Sequence, residues 1–245
     1  MLQKALLHLQ QGKLDKAEAL YKTILKKHPK HSDAWHLFGL VVNRKGRIQE
    51  AINAINKAIK INPDISPYYF NLGVILQGSG SFLEAISAYE KSLTLQPKNA
   101  EAWDNMGSAL QKLEHYQMAV EAHCKAIELT PEQSGMWSNL GEAYRKQRLF
   151  DDAIFCYQKA LEIELKANKN LLDPFSFIGY ESVKSREDTA FARISGWVFD
   201  GQRYSVEVRK HATEFNVRFK GGNPSDFSDE LLSVLDKQGF GRVES

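Results

Sequence analysis

The sequence predicts a mainly α protein: a right-handed α-solenoid of about five helix–turn–helix repeats, followed by a small α+β segment. The first observation is a period of 34 residues, and such self-similarity is the signature of repeat architectures. Prolines, small alanines, glycines and aromatic residues all recur with this step. The members are Pro29, Pro63, Pro97 and Pro131; Ala17, Ala51, Ala85, Ala119 and Ala153; Gly39, Gly73, Gly107 and Gly141; and Trp35, Tyr69, Trp103 and Trp137.

The second observation is a helical apolar pattern inside each repeat. In the third repeat, Tyr69, Leu72 and Leu76 share one helical face, and Ala85 and Tyr89 share another. The pattern predicts a first helix of some ten residues from the aromatic position. A second helix is expected to be centred just after the alanine.

The third observation is that small and turn-forming residues stand where paired helices need them. Gly73 and Ala85 would let the two helices approach closely, while Tyr69 and Tyr89 would fill the space between neighbouring pairs. Each proline would end a second helix. Glycines would permit the tight turn between the helices; they are Gly12, Gly46 and Gly80.

This constellation resembles the tetratricopeptide repeat family, whose pattern has tryptophan, Leu-Gly, a bulky residue, alanine, an aromatic, alanine and proline at fixed offsets. The fifth repeat matches it most fully, with Trp137, Leu140, Gly141, Tyr144, Ala153, Tyr157 and Ala160. The resemblance implies an array over residues 1–167. Its repeats are expected at 1–31, 32–65, 66–99, 100–133 and 134–167.

Two repeats depart from the pattern. The first has Lys4 and Ala5 in place of Leu-Gly, which predicts a truncated first helix that acts as an end cap. The fifth has Leu165 in place of proline, so its second helix is expected to continue toward Asn170.

The concave surface of such an array is formed chiefly by the first helices and is where partners bind. Asn71, Asn105 and Asn139 occupy one equivalent position there, two residues after each aromatic. An amide offers both a donor and an acceptor, so a row of asparagines could bind the backbone of an extended peptide. The alternative is that these amides are solvated or bridge helices.

The asparagine row looks like the ladder in the repeat domains of the O-linked N-acetylglucosamine transferases and the SPINDLY-like proteins. Leu37 breaks the row in the second repeat, and no sugar-transfer residue accompanies it. Asp173-Pro174-Phe175 also looks like their repeat-to-catalytic junction. This resemblance implies an alternative function, the substrate-recruiting portion of a glycosyltransferase-like enzyme whose catalytic part lies elsewhere.

Other candidate groove residues follow one to two turns along the first helices. They are Asn43, Gln77, Gln111 and Arg145, with Asp104, Ser138 and Glu142 adding local polarity. Their mixed charge argues against an all-basic clamp for an acidic peptide. The recurring aromatics are interpreted as packing between repeats, and His36 and His123 as packing or surface residues rather than metal ligands.

Beyond the array, residues 168–190 are expected to form a linker or cap and 191–245 a small α+β (β-β-α) segment. Alternating apolar residues over 191–199, 204–208 and 215–219 predict two or three strands. Asn223 and Pro224 would begin a final helix through about Gln238. No catalytic constellation is visible there.

Composition fits a folded chain, with 43% hydrophobic and 25% charged residues. A net charge of +2 favours neither nucleic acid nor a membrane surface as a partner. We therefore expect a non-enzymatic scaffold for a protein or extended peptide, without cofactor or metal. Cys124 and Cys156 suit a reducing compartment, so a cytoplasmic location is expected. Self-association through an uncovered end of the array is possible.

Overall fold

The computed structural model describes the backbone of residues 1–167 and of the strand residues 176–177, 181–182, 189–199, 202–211 and 214–220. It describes side chains for residues 1–160, 162 and 163. The chain divides into two compact units, Met1–Thr130 and Pro131–Ser245. The predicted domain boundary after residue 167 differs from this division and stays a prediction.

The first unit contains four helix pairs, one for each of the first four repeats. The first helices of the pairs are α1 (Leu2–Gln10), α3 (Ser32–Arg44), α5 (Ser66–Gly78) and α7 (Ala100–Lys112). The second helices are α2 (Leu14–Lys27), α4 (Ile48–Ile61), α6 (Phe82–Leu95) and α8 (Tyr116–Leu129). Helix α1, with 9 residues, is shorter than the other helices of this unit, and its role as an end cap stays a prediction.

Helix ends follow the local residue types. The side chains of His31 and Asn99 accept hydrogen bonds from the third backbone N–H of α3 and α7, so each satisfies one unpaired helix donor. Each second helix ends two residues before a repeat proline, as predicted. The turn glycines Gly12, Gly46 and Gly80 have φ of 70°, 79° and 84°.

In each of the second to fifth repeats, a glycine of the first helix faces a large residue of the second helix. A Cβ atom at Gly73 would lie 2.6 Å from the Tyr89 ring, and one at Gly107 would lie 2.7 Å from the His123 ring. Both rings are fully buried. The helices can therefore pack this closely only because the first helix has no side chain at that point.

The second unit contains the fifth helix pair, α9 (Ser134–Lys146) and α10 (Phe150–Ala167). Helix α10 passes Leu165 and is longer than the other second helices, as the missing proline predicts. No helix in the described part of the chain has the length and apolar character needed to cross a bilayer.

The same unit has strands β1 (Ser176–Phe177), β2 (Glu181–Ser182), β3 (Thr189–Phe199), β4 (Gln202–His211) and β5 (Glu214–Lys220). The antiparallel sheet has the order β1-β3-β4-β5, and β2 also pairs with β3. The predicted final helix and the Asp-Pro-Phe element lie outside the described residues. The β-β-α segment as a whole therefore stays a prediction.

Candidate binding groove

All ten predicted groove residues lie on the first helices of repeats. Asn43 is on α3; Asn71 and Gln77 are on α5; Asp104, Asn105 and Gln111 are on α7; and Ser138, Asn139, Glu142 and Arg145 are on α9. All are half-buried. In the first unit, α5 contacts both α3 and α7, so the predicted residues of these three helices belong to neighbouring elements.

Asn71 is held in place by two contacts within the first unit. Its amide nitrogen donates to the Pro67 carbonyl at 2.9 Å and lies 2.9 Å from His36 Nε2. Burial lowers the pKa of the His36 imidazole to about 4, so the ring is neutral near pH 7 and Nε2 can accept this bond. The amide nitrogen is therefore engaged, and the carbonyl oxygen is the Asn71 atom that remains for a ligand.

Asn105 differs from Asn71 in its surroundings. Its side chain makes no hydrogen bond to any residue that the structure describes. The half-buried amide can therefore offer a donor and an acceptor at once. Of the two equivalent asparagines in the first unit, Asn105 is the one suited to a bidentate contact with a peptide backbone.

Next to Asn105, the fourth repeat carries a polar cluster. Asp104 Oδ1 lies 2.7 Å from His123 Nδ1, and Gln111 Nε2 lies 3.2 Å from His123 Nε2. The His123 side chain is fully buried, whereas the Asp104 side chain is 15% exposed. The His123 imidazole, on the second helix α8, thus contacts two predicted groove residues of α7, Asp104 and Gln111.

The corresponding part of the third repeat is more apolar. Tyr89, which is equivalent to His123, donates its hydroxyl to Gln77 Oε1 at 2.8 Å. Phe70, equivalent to Asp104, lies with its ring 6.1 Å from the Tyr89 ring. Val74 follows one turn later on the same helix face and is 40% exposed. The surface beside Asn71 is therefore partly apolar.

In the second repeat, Asn43 is half-buried near the end of α3. Leu37, at the asparagine position, packs against the hydrophobic core with Leu40. At the asparagine position the second repeat therefore has an apolar side chain instead of an amide.

The second unit contributes four of the predicted residues through α9. Arg145 Nε donates to Glu142 Oε2 at 2.7 Å, and Tyr157 donates its hydroxyl to the same carboxylate at 3.2 Å. Arg145 and Glu142 thus neutralise each other within one helix. Ser138 and Asn139 lie on the same helix and are half-buried.

Sequence reasoning missed two features of the first unit. The interpretation of His36 and His123 as packing residues is consistent with their burial, at 8% and 0% exposed. Their hydrogen bonds to groove residues were not expected. The only sequence signal was that each histidine stands at a repeat position that other repeats fill with an aromatic or a polar groove residue.

The second missed feature is an ionic cluster around Glu18, which is 7% exposed. Lys45 Nζ lies 2.6 Å from Glu18 Oε2, and Arg47 Nη1 lies 2.8 Å from Glu18 Oε1. Hydrogen bonds from Lys22, Lys45 and Arg47 lower the pKa of the Glu18 carboxyl to about 2. The cluster links the first two repeats, since Glu18 is on α2 whereas Lys45 and Arg47 connect α3 to α4.

Among the described residues, no group of three or more His, Cys, Asp or Glu side chains is placed to hold a metal ion. The predicted residues of the first unit are amides and a carboxylate beside a few apolar side chains, and in the second unit α9 carries the paired Arg145 and Glu142.

The comparisons agree with a helical repeat array. Four family models described as tetratricopeptide repeat match residues 2–68, 66–99, 88–121 and 136–164. The chain belongs to the tetratricopeptide repeat family. Arrays of this kind present extended surfaces to partners, so the coarse class is a protein-interaction scaffold. No curated protein matches the sequence.

Similar solved structures include a crystal structure of MamA, with 26% identity, a TM-score of 0.63, and coverage of 66% of this chain and 95% of the other. MamA 41-end from Desulfovibrio magneticus RS-1 has 20% identity and a TM-score of 0.65, with 68% and 94% covered. YrrB has 21% identity and a TM-score of 0.59, with 69% and 90% covered. The last two show the fold alone. None of these matches tests the resemblance to the glycosyltransferase repeat domains, which stays a hypothesis.

Proposed function

We propose that the chain is a non-enzymatic scaffold that binds an extended peptide along the face formed by α3, α5 and α7. The observation that carries the proposal is the pair of equivalent half-buried amides, Asn71 and Asn105, on neighbouring helices. Asn105 has both hydrogen-bonding ends available, and Asn71 has its carbonyl oxygen available because its nitrogen contacts His36 and Pro67.

The spacing of the helices suits a main chain. Packed helices lie about 8–10 Å apart, and an extended peptide advances about 3.3 Å per residue. Successive asparagines would therefore meet backbone groups about three residues apart. Asn105 would pair with both a carbonyl and an N–H of the peptide, and Asn71 would accept from one N–H.

The side-chain preference is expected to come from the apolar surface beside Asn71. Phe70 and Val74 lie one turn apart on α5, and Val74 is 40% exposed. A peptide lying over α5 would bury an apolar side chain there and gain from the hydrophobic effect. Sequence selectivity is therefore expected at the position over the third repeat, whereas the amides bind the backbone regardless of sequence.

YrrB, one of the similar structures, is described as a TPR protein with an unusual peptide-binding site. At 21% identity this likeness is one of fold. It supports the proposal only in the sense that an array of this kind can carry a peptide site.

In the experiment, peptides are selected from a random display library on the immobilised full chain. The affinity of a synthetic copy of one selected peptide is then measured by calorimetry. Asn105→Ala should weaken binding about tenfold, or about 1.4 kcal/mol, because hydrogen bonds to the backbone are lost. Asn53→Ala, an exposed asparagine on the second helix α4, is the matched control and should change affinity less than about twofold. Selection of no peptide, or equal affinity in all variants, would contradict the proposal.

The expected self-association stays a separate prediction. Helix α1 leaves Leu6 and Leu7 at 36% and 49% exposure, and these apolar side chains could contact a second copy. A strict monomer by light scattering would remove this possibility without affecting the peptide proposal.

A further inference from the structure

A hollow of about 620 Å³ opens over α5 between the second helices α4 and α6. Its lining includes the apolar side chains of Ile52, Tyr69, Leu72 and Leu83 and the charged side chains of Glu84 and Lys91. None of the ten predicted groove residues lines it. The hollow is therefore a different surface from the proposed peptide groove.

The second and fourth repeats carry an indole ring at the position of Tyr69. The Nε1 atoms of Trp35 and Trp103 donate to the carbonyls of the preceding repeat prolines at 2.8 and 3.0 Å. Lys57 Nζ and Lys125 Nζ each lie 4.3 Å from the centroid of the indole ring of their own repeat. In each of these two repeats an ammonium group therefore lies over the face of the indole ring.

The third repeat keeps the lysine but has no indole. Tyr69 stands 34 residues after Trp35, and Lys91 stands 34 residues after Lys57. A phenol is smaller than an indole and has no N–H for a proline carbonyl. Lys91 consequently lines open space rather than the face of a tryptophan ring.

The fifth repeat shows what can cover this position. Its Phe155 ring lies 6.1 Å from the Trp137 ring in a T-shaped arrangement, and Lys159 Nζ lies 5.9 Å from the Phe155 centroid. The residue equivalent to Phe155 in the third repeat is Ser87, which lines the hollow. A second ring therefore fits beside the aromatic position where the chain supplies one, and Ser87 leaves that place open.

We propose that the hollow binds the indole ring of a tryptophan side chain presented by a partner polypeptide. The charge complementarity is that of the second and fourth repeats: the Lys91 ammonium would face the electron-rich surface of the incoming ring. Tyr69, Leu72 and the 66% exposed Leu83 supply the apolar contacts. The partner would thus supply the indole ring that the third repeat lacks.

The test uses N-acetyl-L-tryptophanamide as the probe and amide NMR spectra of the ¹⁵N-labelled full chain as the readout. Millimolar binding is expected for so small a ligand, with shifts on α4, α5 and α6. Ser87→Phe should weaken binding at least tenfold because it places a ring of the chain's own in the hollow. Asn53→Phe makes the same change at the equivalent exposed position of the second repeat and should leave binding unchanged.

Lys91→Gln tests the class of ligand, since it removes the ammonium and leaves the space. Binding should weaken several-fold, and N-acetyl-L-leucinamide should bind the parent more weakly than the tryptophan probe. The proposal is overturned if Lys91→Gln binds the probe as well as the parent does. It is also overturned if the leucine compound binds equally, if Ser87→Phe retains binding, or if no shifts arise on α4–α6.

Discussion

The third and fourth repeats share one backbone plan and differ in the chemistry placed upon it. Gly73 faces Tyr89 in the third repeat, and Gly107 faces His123 in the fourth. The buried ring then contacts the first helix: Tyr89 reaches Gln77, whereas His123 reaches both Gln111 and Asp104.

The difference shows how a repeat array separates architecture from function. The glycine and the buried ring set the distance between helices in both repeats. The identity of that ring decides which groove residues it can hold by hydrogen bonds. The buried layer thus supports an apolar surface at Phe70 and a polar one at Asp104, without a change of fold.

The largest expected effect comes from breaking the feature that the two repeats share. Gly73→Ala would place a Cβ 2.6 Å from the Tyr89 ring and should lower the free energy of unfolding by about 3 kcal/mol. Gly78→Ala, on the same helix with nothing within 4 Å of the added atom, is the matched control and should not destabilise the protein. Urea unfolding followed by circular dichroism measures both; equal stability of the two variants would show that the close approach is unimportant.

The next effect concerns His36, a residue of the second repeat that contacts Asn71 of the third repeat. Burial lowers the pKa of His36 to about 4, below its unfolded value of about 6.5. As the pH falls, the His36 imidazole therefore takes up a proton more readily in the unfolded chain than in the folded one. Between pH 7 and pH 4.5, this difference should lower the free energy of unfolding by about 2 kcal/mol.

His36→Phe should remove that part of the pH dependence, whereas His115→Phe, which alters an exposed histidine, should not. Urea unfolding at pH 7 and pH 4.5 gives the difference for each variant. An unchanged difference in His36→Phe would mean that this group does not titrate as burial requires.

A smaller effect should appear when the chemistry of the fourth repeat is exchanged for that of the third. Asp104→Phe removes the 2.7 Å contact with His123 Nδ1 and should cost about 1.5 kcal/mol because a buried polar atom loses its partner. Adding His123→Tyr should restore about half of the loss, since the pair then matches Phe70 and Tyr89. Additive losses in this double-mutant cycle would show that the two positions are not coupled.

The smallest effect lies in the turns. The third repeat has Gly80 at φ 84°, whereas the fourth has Glu114 at φ 62°, a conformation unfavourable for a residue with a Cβ. Glu114→Gly should therefore raise the free energy of unfolding by about 1 kcal/mol, and Gly80→Ala should lower it. Thermal and urea unfolding check both; a destabilised Glu114→Gly variant would contradict this account of the turn.

The repeat period was enough to predict the helix pairs, the short α1 and the long α10, because these depend on residues close in sequence. It also placed all ten groove candidates on first helices. The contacts of Asn71 with His36 and of Lys45 and Arg47 with Glu18 join residues 27 to 35 positions apart. Periodicity identifies equivalent positions, but it does not show which side chains of neighbouring repeats touch.

The hollow over Tyr69 illustrates the same limit. The sequence grouped Tyr69 with three tryptophans as one packing position, and the structure places Tyr69 in the lining of the hollow. The space left by the smaller ring and by Ser87 depends on the packing of three helices. It therefore became visible only with the side chains in place.

The most direct test of the central claim is to titrate a peptide selected on the full chain and to map its backbone amide shifts by NMR. Binding in the groove predicts that the largest shifts fall on α3, α5 and α7, including Asn71 and Asn105. Shifts confined to the second helices α4, α6 and α8 would contradict the account, because they would place the peptide away from the amides.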